Sequence, residues 1–504
     1  MIQEGVCEVE KYKTSKFFLC LSYAYLLLPF LIFAIGWMKP YFSIPIVICV
    51  LICFVKIVKE SSSLWVPEVN RENLIKIFFV MGVIAVWVYY SGIGKFVFQN
   101  TDHAYRNGLF NMLVENNWPV INENVIQSKM PGVSKTGLIY YIGFWLPSAI
   151  VGKILGLRCG YYAQAVWALL GICLVYYLIC AKNKKLELWP LAVFILFSGL
   201  DIIGEHLIGT NIFSIDVTTH LEWWGTAYQY SSMTTQLFWV FNQAIPIWLC
   251  TIVILMQENN RNVVFILACG LITSTLPSIG LALITAFLCL TRTYPNRQKS
   301  VFKKNGYVDC LVRDTFTLQN VLGGGIIGIF SALYLLTNTS GGMVNQAGLN
   351  AQMQNSLPKY VIFLIIEVGI YILLVYKYNQ KNYLFYFICL LLVIIPPIHV
   401  GSSNDFCMRA SIPALFILMI IIMDTLRNAY LTKDILIFKA LILALAIGSI
   451  TPLFEFTRTI SKTNERIRNE EVVYEEDKEF EIILSEGNFC GDIENNIFFK
   501  YIAK

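Results

Sequence analysis

A polar run between two apolar stretches carries the first candidate chemistry. Residues 99–107 read Gln-Asn-Thr-Asp-His-Ala-Tyr-Arg-Asn, and Asp102 and Arg106 stand four residues apart, on one face of a predicted helix. A carboxylate at the mouth of a membrane cavity could act as a general base, with His103 and Arg106 binding substrate beside it. The plainer interpretation is that Asp102 caps the helix and that Arg106 is its surface partner.

A second group of polar residues follows a later apolar stretch. Asp201 stands at the end of that stretch, where an unpaired carboxylate is costly. His220 and Glu222 adjoin Trp223 and Trp224, which could stack on sugar rings or anchor the chain at the membrane interface. The tight spacing of an H-E-x-x-H zinc motif is absent from the sequence. The residues whose types suit a divalent metal are Asp201, His206, His220 and Glu222.

Residues 402–409 form the third polar group, between two apolar stretches. Arg409 falls at the start of a predicted helix, where free backbone N–H groups already attract anions. A phosphate held by Arg409 and these amides is physically reasonable, with Asp405 as a further substrate contact. The alternative is an Asp405–Arg409 pair that only closes the loop.

The composition places these groups in a membrane protein. Of the 504 residues, 57% are apolar and 14% are charged, and the apolar residues form blocks long enough to cross a bilayer. The mean hydropathy is +0.62. These values exclude a soluble enzyme, a disordered chain and a disulfide scaffold. The net charge of +5 is too small to indicate a nucleic-acid partner.

We therefore predict an all-α polytopic fold with about 11–14 transmembrane helices. The eleven clear spans are 17–37, 41–58, 74–94, 160–181, 187–204, 236–256, 319–337, 359–378, 382–400, 410–427 and 434–452. Two further stretches, 136–156 and 262–290, are interrupted by prolines. The first is predicted to lie laterally or to re-enter the membrane, and the second to form two short helices or a re-entrant hairpin. The glycine-rich run at 323–328 lies inside a span, which favours close helix packing over nucleotide binding.

The charge distribution gives the predicted orientation. Lysine and arginine concentrate at 56–76, 182–185 and 292–318, whereas 205–235 contains neither. The excess of positive charge in cytoplasmic loops then places residues 1–16 in the cytoplasm.

This orientation divides the chain into a membrane domain and a tail. The multi-pass domain covers 17–452, and 95–135 and 205–235 are its main extracytoplasmic loops, the first with surface-lying helices. Residues 453–504 form a small extracytoplasmic tail, which is too short for an independent core and is expected to dock on the outer face. A short strand is predicted at 481–484.

The arrangement resembles the GT-C superfamily of membrane glycosyltransferases. In that family one acidic residue follows an early span and a second lies at the outer end of a later span. Asp102 and Asp201 match these positions, which implies that both are catalytic. Residues 134–141 resemble the Lys-Pro-Pro-Leu helix of aminoarabinose and O-mannosyl transferases, although Thr-Gly at 136–137 replaces Pro-Pro. The runs Asp-His-x-x-Arg-Asn and Asn-Asp-Phe-x-Met-Arg-Ala-Ser are similar to uncharacterised bacterial membrane proteins of polysaccharide pathways.

The resemblance implies transfer of a sugar from a polyprenyl-phosphate donor to a glycan or lipid acceptor, on the outer side of a bacterial plasma membrane. The donor phosphate would lie near Arg409 and Arg106. Asp102 would take the acceptor proton during an inverting attack on the sugar C1. The residues that would position the acceptor or a divalent metal are Asp201, His220 and Glu222.

Three other functions fit the same sequence. They are a transporter or flippase of a lipid-linked or small anionic substrate, a polysaccharide polymerase or ligase, and a non-catalytic assembly subunit. A transporter should carry its ionisable residues at mid-span. Most of them cluster instead at one predicted face, and Glu367 is the main exception.

Overall fold

The computed structural model describes residues 13–208, 216, 219–299, 307–336, 348–349, 357–400, 405–494 and 496–504. Most of the predicted cytoplasmic segment 1–16 and part of the loop 205–235 therefore lie outside the described residues. The α-helices in chain order are α1 (Phe17–Trp37), α2 (Pro40–Glu60), α3 (Arg71–Tyr90), α4 (Asp102–Glu115), α5 (Leu146–Leu155), α6 (Leu157–Asn183), α7 (Trp189–Leu196), α8 (Asp201–Ile208), α9 (Met233–Leu255), α10 (Val263–Leu271), α11 (Thr275–Lys299), α12 (Tyr307–Thr315), α13 (Gly325–Leu335), α14 (Leu357–Leu364), α15 (Ile370–Asn379), α16 (Tyr383–Ile394), α17 (Asp405–Ala410), α18 (Ile412–Leu431), α19 (Ile435–Gly448), α20 (Ile450–Arg468) and α21 (Phe480–Ile483).

Shorter elements complete the fold. The 3₁₀ segments are Ile142–Trp145 and Leu221–Gly225, and the π-helical segments are Gln319–Gly324, Ile365–Gly369 and Phe498–Ile502. The strands are β1 (Thr14–Ser15), β2 (Leu64–Trp65), β3 (Ile121–Asn122), β4 (Thr136–Leu138), β5 (Gly348–Leu349), β6 (Ile398–His399) and β7 (Cys490–Asp492). They form three small sheets, all antiparallel: β1 with β2, β5 with β6, and the order β3-β4-β7.

The chain is a multi-pass membrane protein. Ten helices in the described ranges are long and apolar enough to cross a bilayer, and α12 with the bent segment Gln319–Leu335 would make an eleventh. The predicted span 382–400 is wrong, because only the 12 residues of α16 are helical there. Pro396 and Pro397 have no backbone N–H with which to continue the helical hydrogen bonds, so the helix ends and a strand follows.

The two ambiguous stretches meet at their breaks. In 136–156, β4 and a 3₁₀ segment lead into α5, which has 10 residues and is too short to span. Gly156, at φ +92°, then turns the chain into α6. The backbone N–H of Gly143 donates to the Ile272 carbonyl at 3.0 Å, where α10 gives way to α11. The first stretch therefore has no helix long enough to cross a membrane, whereas the second is a 9-residue helix followed by a helix of 25 residues, not two short ones.

Close helix packing at the glycine-rich run is confirmed. A Cβ on Gly323 would lie 2.7 Å from the Phe265 ring and 3.0 Å from Cys53. This segment therefore packs on α10 and α2 at distances that only glycine allows.

The tail is ordered against the membrane domain. Helix α20 continues the direction of the preceding span as far as Arg468, and β7 pairs with β4 in the register Gly137–Gly491. The predicted strand at 481–484 is wrong, because Phe480–Ile483 forms a helical turn. A segment of only four residues at 481–484 fits a helix as well as a strand. The edge of β4 that could have paired with it is occupied by β7.

Three interruptions of regular helix surround the candidate site. The span containing α7 and α8 is broken at 197–200, where Met233 N–H donates to Phe197 and Leu200 N–H donates to Ile366. Helix α9 is kinked at Val240, and Glu367 lies in a π-helical segment between α14 and α15. At each break, backbone groups and polar side chains lie in the protein interior, where an unbroken helix would present only apolar side chains.

Candidate functional site

One cavity brings the three polar groups of the sequence together. Its volume is about 410 Å³, within the range of small-molecule sites. The residues that line it are Asp102, His220, Trp223, Thr226, Gln229, Ser231, Thr235, Gln236, Trp239, Val240, Asp405, Met408 and Arg409. Loops that follow different spans thus open onto one side of the molecule, which we call the cavity face.

The first turn of α4 presents a carboxylate backed by a buried cation. Asp102 is the first residue of the helix and its side chain is 46% exposed, whereas the Arg106 side chain is only 7% exposed. Arg106 Nη2 donates to Asp102 Oδ2 at 2.9 Å. Its other terminal nitrogen, Nη1, is buried and has no hydrogen-bond partner among the described residues. The pair therefore orients the aspartate and leaves one cationic donor unused.

Arg409 supplies a second guanidinium on the far wall. It donates from Nη1 to Tyr141 Oη at 2.9 Å, and Nη2 lies 3.1 Å from Asp405 Oδ1. Its Nε is buried without a partner in the described structure. The Tyr140 hydroxyl in turn donates to that of Tyr141 at 2.5 Å, and burial raises the pKa of Tyr140 well above its usual value. Tyr140 is therefore neutral, and the hydroxyl of Tyr141 fixes the arginine.

His220 and its neighbours form an aromatic wall. The His220 ring stacks on Trp239 at 5.1 Å and lies 4.9 Å from Trp223. Burial, and then the charge of Arg458, lower the pKa of His220 to about 3, so the ring is neutral near pH 7. Its Nδ1 is 3.6 Å from Glu455 Oε1, which is too far for a hydrogen bond and involves no histidine charge. Trp223, 60% exposed, is the one tryptophan of the predicted pair that faces the cavity.

Two residues that support this aromatic wall from behind were not predicted from the sequence. Glu455 accepts from Trp239 Nε1 at 3.0 Å and is paired with Arg458 at 2.8 Å. Both belong to α20, in the region predicted to be a separate tail. Their i, i+3 spacing on a helix that continues a span was the available signal.

Asp201 lies outside the cavity. It is fully buried, and its Oδ2 accepts from Ser198 Oγ and Thr451 Oγ1, both at 2.8 Å. Trp224 Nε1 lies 3.3 Å from Asp201 Oδ1 and 3.1 Å from Glu367 Oε1. Trp224 therefore joins two buried carboxyl groups and is not available to stack on a sugar.

Glu222 stands directly behind the cavity wall. It is 1% exposed and accepts from Ser232 N–H and from Gln229 Nε2, both at 2.9 Å. Burial, reinforced by the charge of Asp201, raises the pKa of Glu222 to about 8. Gln229 lines the cavity and Glu222 does not. Glu222 can therefore influence the cavity only by orienting the side-chain amide of Gln229.

His103 points away from the cavity and into the helix packing. Its Nε2 lies 3.0 Å from the Phe238 carbonyl, which also accepts from Asn100 Nδ2 at 2.8 Å. That carbonyl lies two residues before the kink of α9 at Val240. Burial, then Arg106, lower the pKa of His103 to about 3, so a neutral imidazole holds the kink.

The four candidate metal ligands do not converge. His206 is exposed at the end of α8, whereas Asp201, His220 and Glu222 are buried in different contacts. Over the ranges that the structure describes, no three His, Cys, Asp or Glu side chains form a group that could hold a metal ion.

A second cavity adjoins the first across the start of α4. It measures about 840 Å³, and Thr101 lines it while Asp102 lines the first cavity. Its other wall comes from tail residues 470–478, including Glu470, Glu471 and Tyr474. One turn of helix thus separates the first cavity from a second one whose described lining has four glutamates together with Arg466 and Lys478.

No protein-family model matches this chain, and neither a curated protein nor a solved structure shows a significant match to it.

Proposed function

We propose that this protein is a membrane glycosyltransferase that moves a sugar from a polyprenyl-phosphate donor to a glycan or lipid acceptor. The observation that carries the proposal is the position of Asp102 and Arg409 on the walls of one cavity, with a buried and unused guanidinium nitrogen on each of Arg409 and Arg106. A general base and a phosphate clamp are the two parts that such a transfer needs.

The two arginines would bind the phosphate of the donor. Arg409 Nε and Arg106 Nη1 are buried donors with no partner in the described ranges, and leaving such charged donors unpaired is costly. A phosphate oxygen would satisfy Arg409 Nε in the cavity, and the positive charges of Arg409 and of the nearby Arg106 would neutralise the phosphate leaving group as its bond to the sugar C1 breaks. Trp223 and Met408, which also line the cavity, would contact the sugar and the first carrier carbons.

Asp102 would act as the base. Its carboxylate is half exposed, is oriented by Arg106 and stands between the two cavities. An acceptor hydroxyl that entered from the side of Tyr474 would give its proton to Asp102 as its oxygen attacked C1. The polyprenyl phosphate would leave from the opposite side, so the transfer would invert the anomeric centre.

The other predicted residues take indirect roles in this proposal. Asp201 and Trp224 would hold the broken span and the segment 221–225, which carries Trp223. Glu222 would orient Gln229, and His103 would set the kink that places Trp239 and its neighbours in the cavity. Of the side chains named here, Trp223, Gln229 and Trp239 line the cavity, whereas Asp201, Trp224, Glu222 and His103 are not among its described lining residues.

Transfer by protein reconstituted in nanodiscs tests the proposal directly. Radiolabelled polyprenyl-phosphate sugars would be supplied with membrane glycans from the source cell, and labelled product counted. Asp102→Asn should lower the rate by about 10²-fold or more, and Glu115→Gln, an exposed carboxylate on the same helix, should not change it. Transfer at the full rate by a folded Asp102→Asn protein would refute the role of Asp102.

One observation favours a transporter as the second candidate. The span containing Asp201 is broken at 197–200, and its buried carboxyl group meets Glu367 of another span, as in transporters with discontinuous helices. Flux of the labelled lipid-linked sugar across proteoliposomes separates the two functions. A transporter would move the intact donor and release no transferred sugar, and Asp102→Asn would leave its flux unchanged.

A further inference from the structure

A small oxygen-lined cavity lies at the end of the molecule away from the cavity face. The first turns of α9, up to Val240, line the 410 Å³ cavity. The helix ends at Leu255, about 22 Å further along its axis, and Met256 lines the small cavity. The small cavity has a volume of about 60 Å³. The residues that line it are Leu19, Tyr23, Glu60, Ser61, Ser62, Met256, Gln257, Glu258, Asn259 and Asn262.

Asn262 has an unusual free side chain. It occupies the N-cap position of α10, where an asparagine normally accepts a backbone N–H of the first turn. Asn320 does this instead, because its Oδ1 accepts from Val264 N at 3.1 Å and from Phe265 N at 3.2 Å. The side chain of Asn262 is buried, at 5% exposure, and its Oδ1 has no partner among the described residues. A buried acceptor of this kind requires a partner, which a bound ion or an ordered water molecule can supply.

Two carboxylates give the same cavity a negative charge. Glu60 and Glu258 line it, and no lysine, arginine or histidine is among its described lining residues. Glu60 Oε2 accepts from Gln319 Nε2 at 2.7 Å, and the nearest ion pair of Glu60, with Lys56, is long at 3.9 Å. The negative charge of Glu60 is therefore only weakly neutralised by its neighbours and is available to a cation in the cavity.

We propose that this cavity binds one hard divalent cation, with ligands from Glu60, Glu258 and the Asn262 side-chain oxygen. Carboxylate and amide oxygens are the ligands of Mg²⁺ and Ca²⁺. The volume leaves room for about two water molecules to complete the coordination. The ion would join the end of α2 to the connection between α9 and α10. The site is independent of the proposed glycosyl transfer and lies on the opposite side of the membrane domain.

Binding of Mn²⁺ to the full chain in nanodiscs tests this site. Bound Mn²⁺ is measured as loss of the free-ion electron paramagnetic resonance signal after treatment with a chelator, and we expect one ion that Mg²⁺ or Ca²⁺ displaces. Glu60→Gln keeps the acceptor for Gln319 and should weaken binding by about ten-fold. Glu68→Gln, an exposed carboxylate in the connection just after α2, is the matched control and should bind as the parent does.

Asn262 gives an independent check with changes in both directions. Asn262→Asp should tighten Mn²⁺ binding, because it adds a charge, and Asn262→Leu should weaken it. The thermal midpoint without metal reports whether each variant is folded. The absence of any bound ion, displacement only by soft metals, or equal binding by Glu60→Gln, Asn262→Leu and the parent would overturn the proposal.

Discussion

Replacement of Trp224 by phenylalanine tests the buried carboxyl pair. The change keeps an aromatic ring and removes the N–H that lies 3.1 Å from Glu367 Oε1 and 3.3 Å from Asp201 Oδ1. Asp201 keeps two hydroxyl donors at 2.8 Å. Glu367 keeps only its contact with the Asp201 carboxyl group, and its Oε2 has no hydrogen-bond partner within the described chain. The loss therefore falls on Glu367.

The size of the effect follows from this imbalance. A hydrogen bond to a neutral carboxyl group contributes about 0.5–1.5 kcal/mol, and an acceptor left buried without a donor costs about 1–3 kcal/mol. The smaller ring adds a packing loss of its own. Trp145→Phe gives the packing loss without the loss of a hydrogen bond, because Trp145 is fully buried and its Nε1 has no partner among the described residues.

Unfolding by sodium dodecyl sulfate in mixed micelles gives the free energy of unfolding of each variant. We expect Trp224→Phe to lose about 2 kcal/mol more than Trp145→Phe. In a Glu367→Leu background the two replacements should cost the same, because the acceptor that depends on Trp224 is gone. Equal losses in the parent, or a difference that persists without Glu367, would show that the indole N–H does not hold this pair.

Two further predictions concern the dependence of stability on pH and the close packing of Gly199 against Glu367. Both His103 and His220 have a pKa of about 3 in the folded protein and about 6.5 when unfolded. Only the unfolded chain takes up these protons as the pH falls from 6.5 towards 3, so each histidine lowers stability by about 1.4 kcal/mol per pH unit there. His220→Gln should reduce the slope of the free energy of unfolding against pH by that amount, and an unchanged slope would contradict the neutral histidine. Gly199→Ala should destabilise the fold by about 3 kcal/mol, since its Cβ would lie 1.9 Å from Glu367 Oε2. Gly82→Ala, whose Cβ would meet nothing within 4 Å, should change the unfolding free energy by about 1 kcal/mol or less, and equal effects of the two would argue against the close contact.

The polar cavity residues were visible in the sequence because the surrounding chain is so apolar. Asp102, Asp405 and Arg409 interrupt long apolar stretches, and charged residues there are expensive unless they have partners or a role. That these three residues lie close together could be expected only from the positions of the spans, and most of those positions were predicted from hydropathy. Their exact partners could not be expected, because Tyr141 lies between β4 and the 3₁₀ segment Ile142–Trp145, in a stretch that hydropathy does not distinguish from a surface helix.

Asp201 shows where the sequence stops being informative. A carboxylate at the end of a span looks the same whether it faces a cavity or a buried partner. Its donors, Ser198, Thr451 and Trp224, come from three separate parts of the chain, and no local spacing links them. The same holds for β7, whose Cys-Gly-Asp sequence has no strand pattern and is extended because β4 pairs with it.

Helix α4 and helix α9 act as one unit at the cavity, and this explains why His103 need not line it. Asn100 and His103 both contact the Phe238 carbonyl just before the kink of α9, while Asp102, between them in sequence, faces the cavity. The kink turns Trp239 and Val240 towards the same space. The contacts that bend α9 therefore also fix the distance between the carboxylate and the aromatic wall. A change at His103 should alter the geometry around Asp102 without removing any group that touches the substrate, which is the behaviour of a positioning residue.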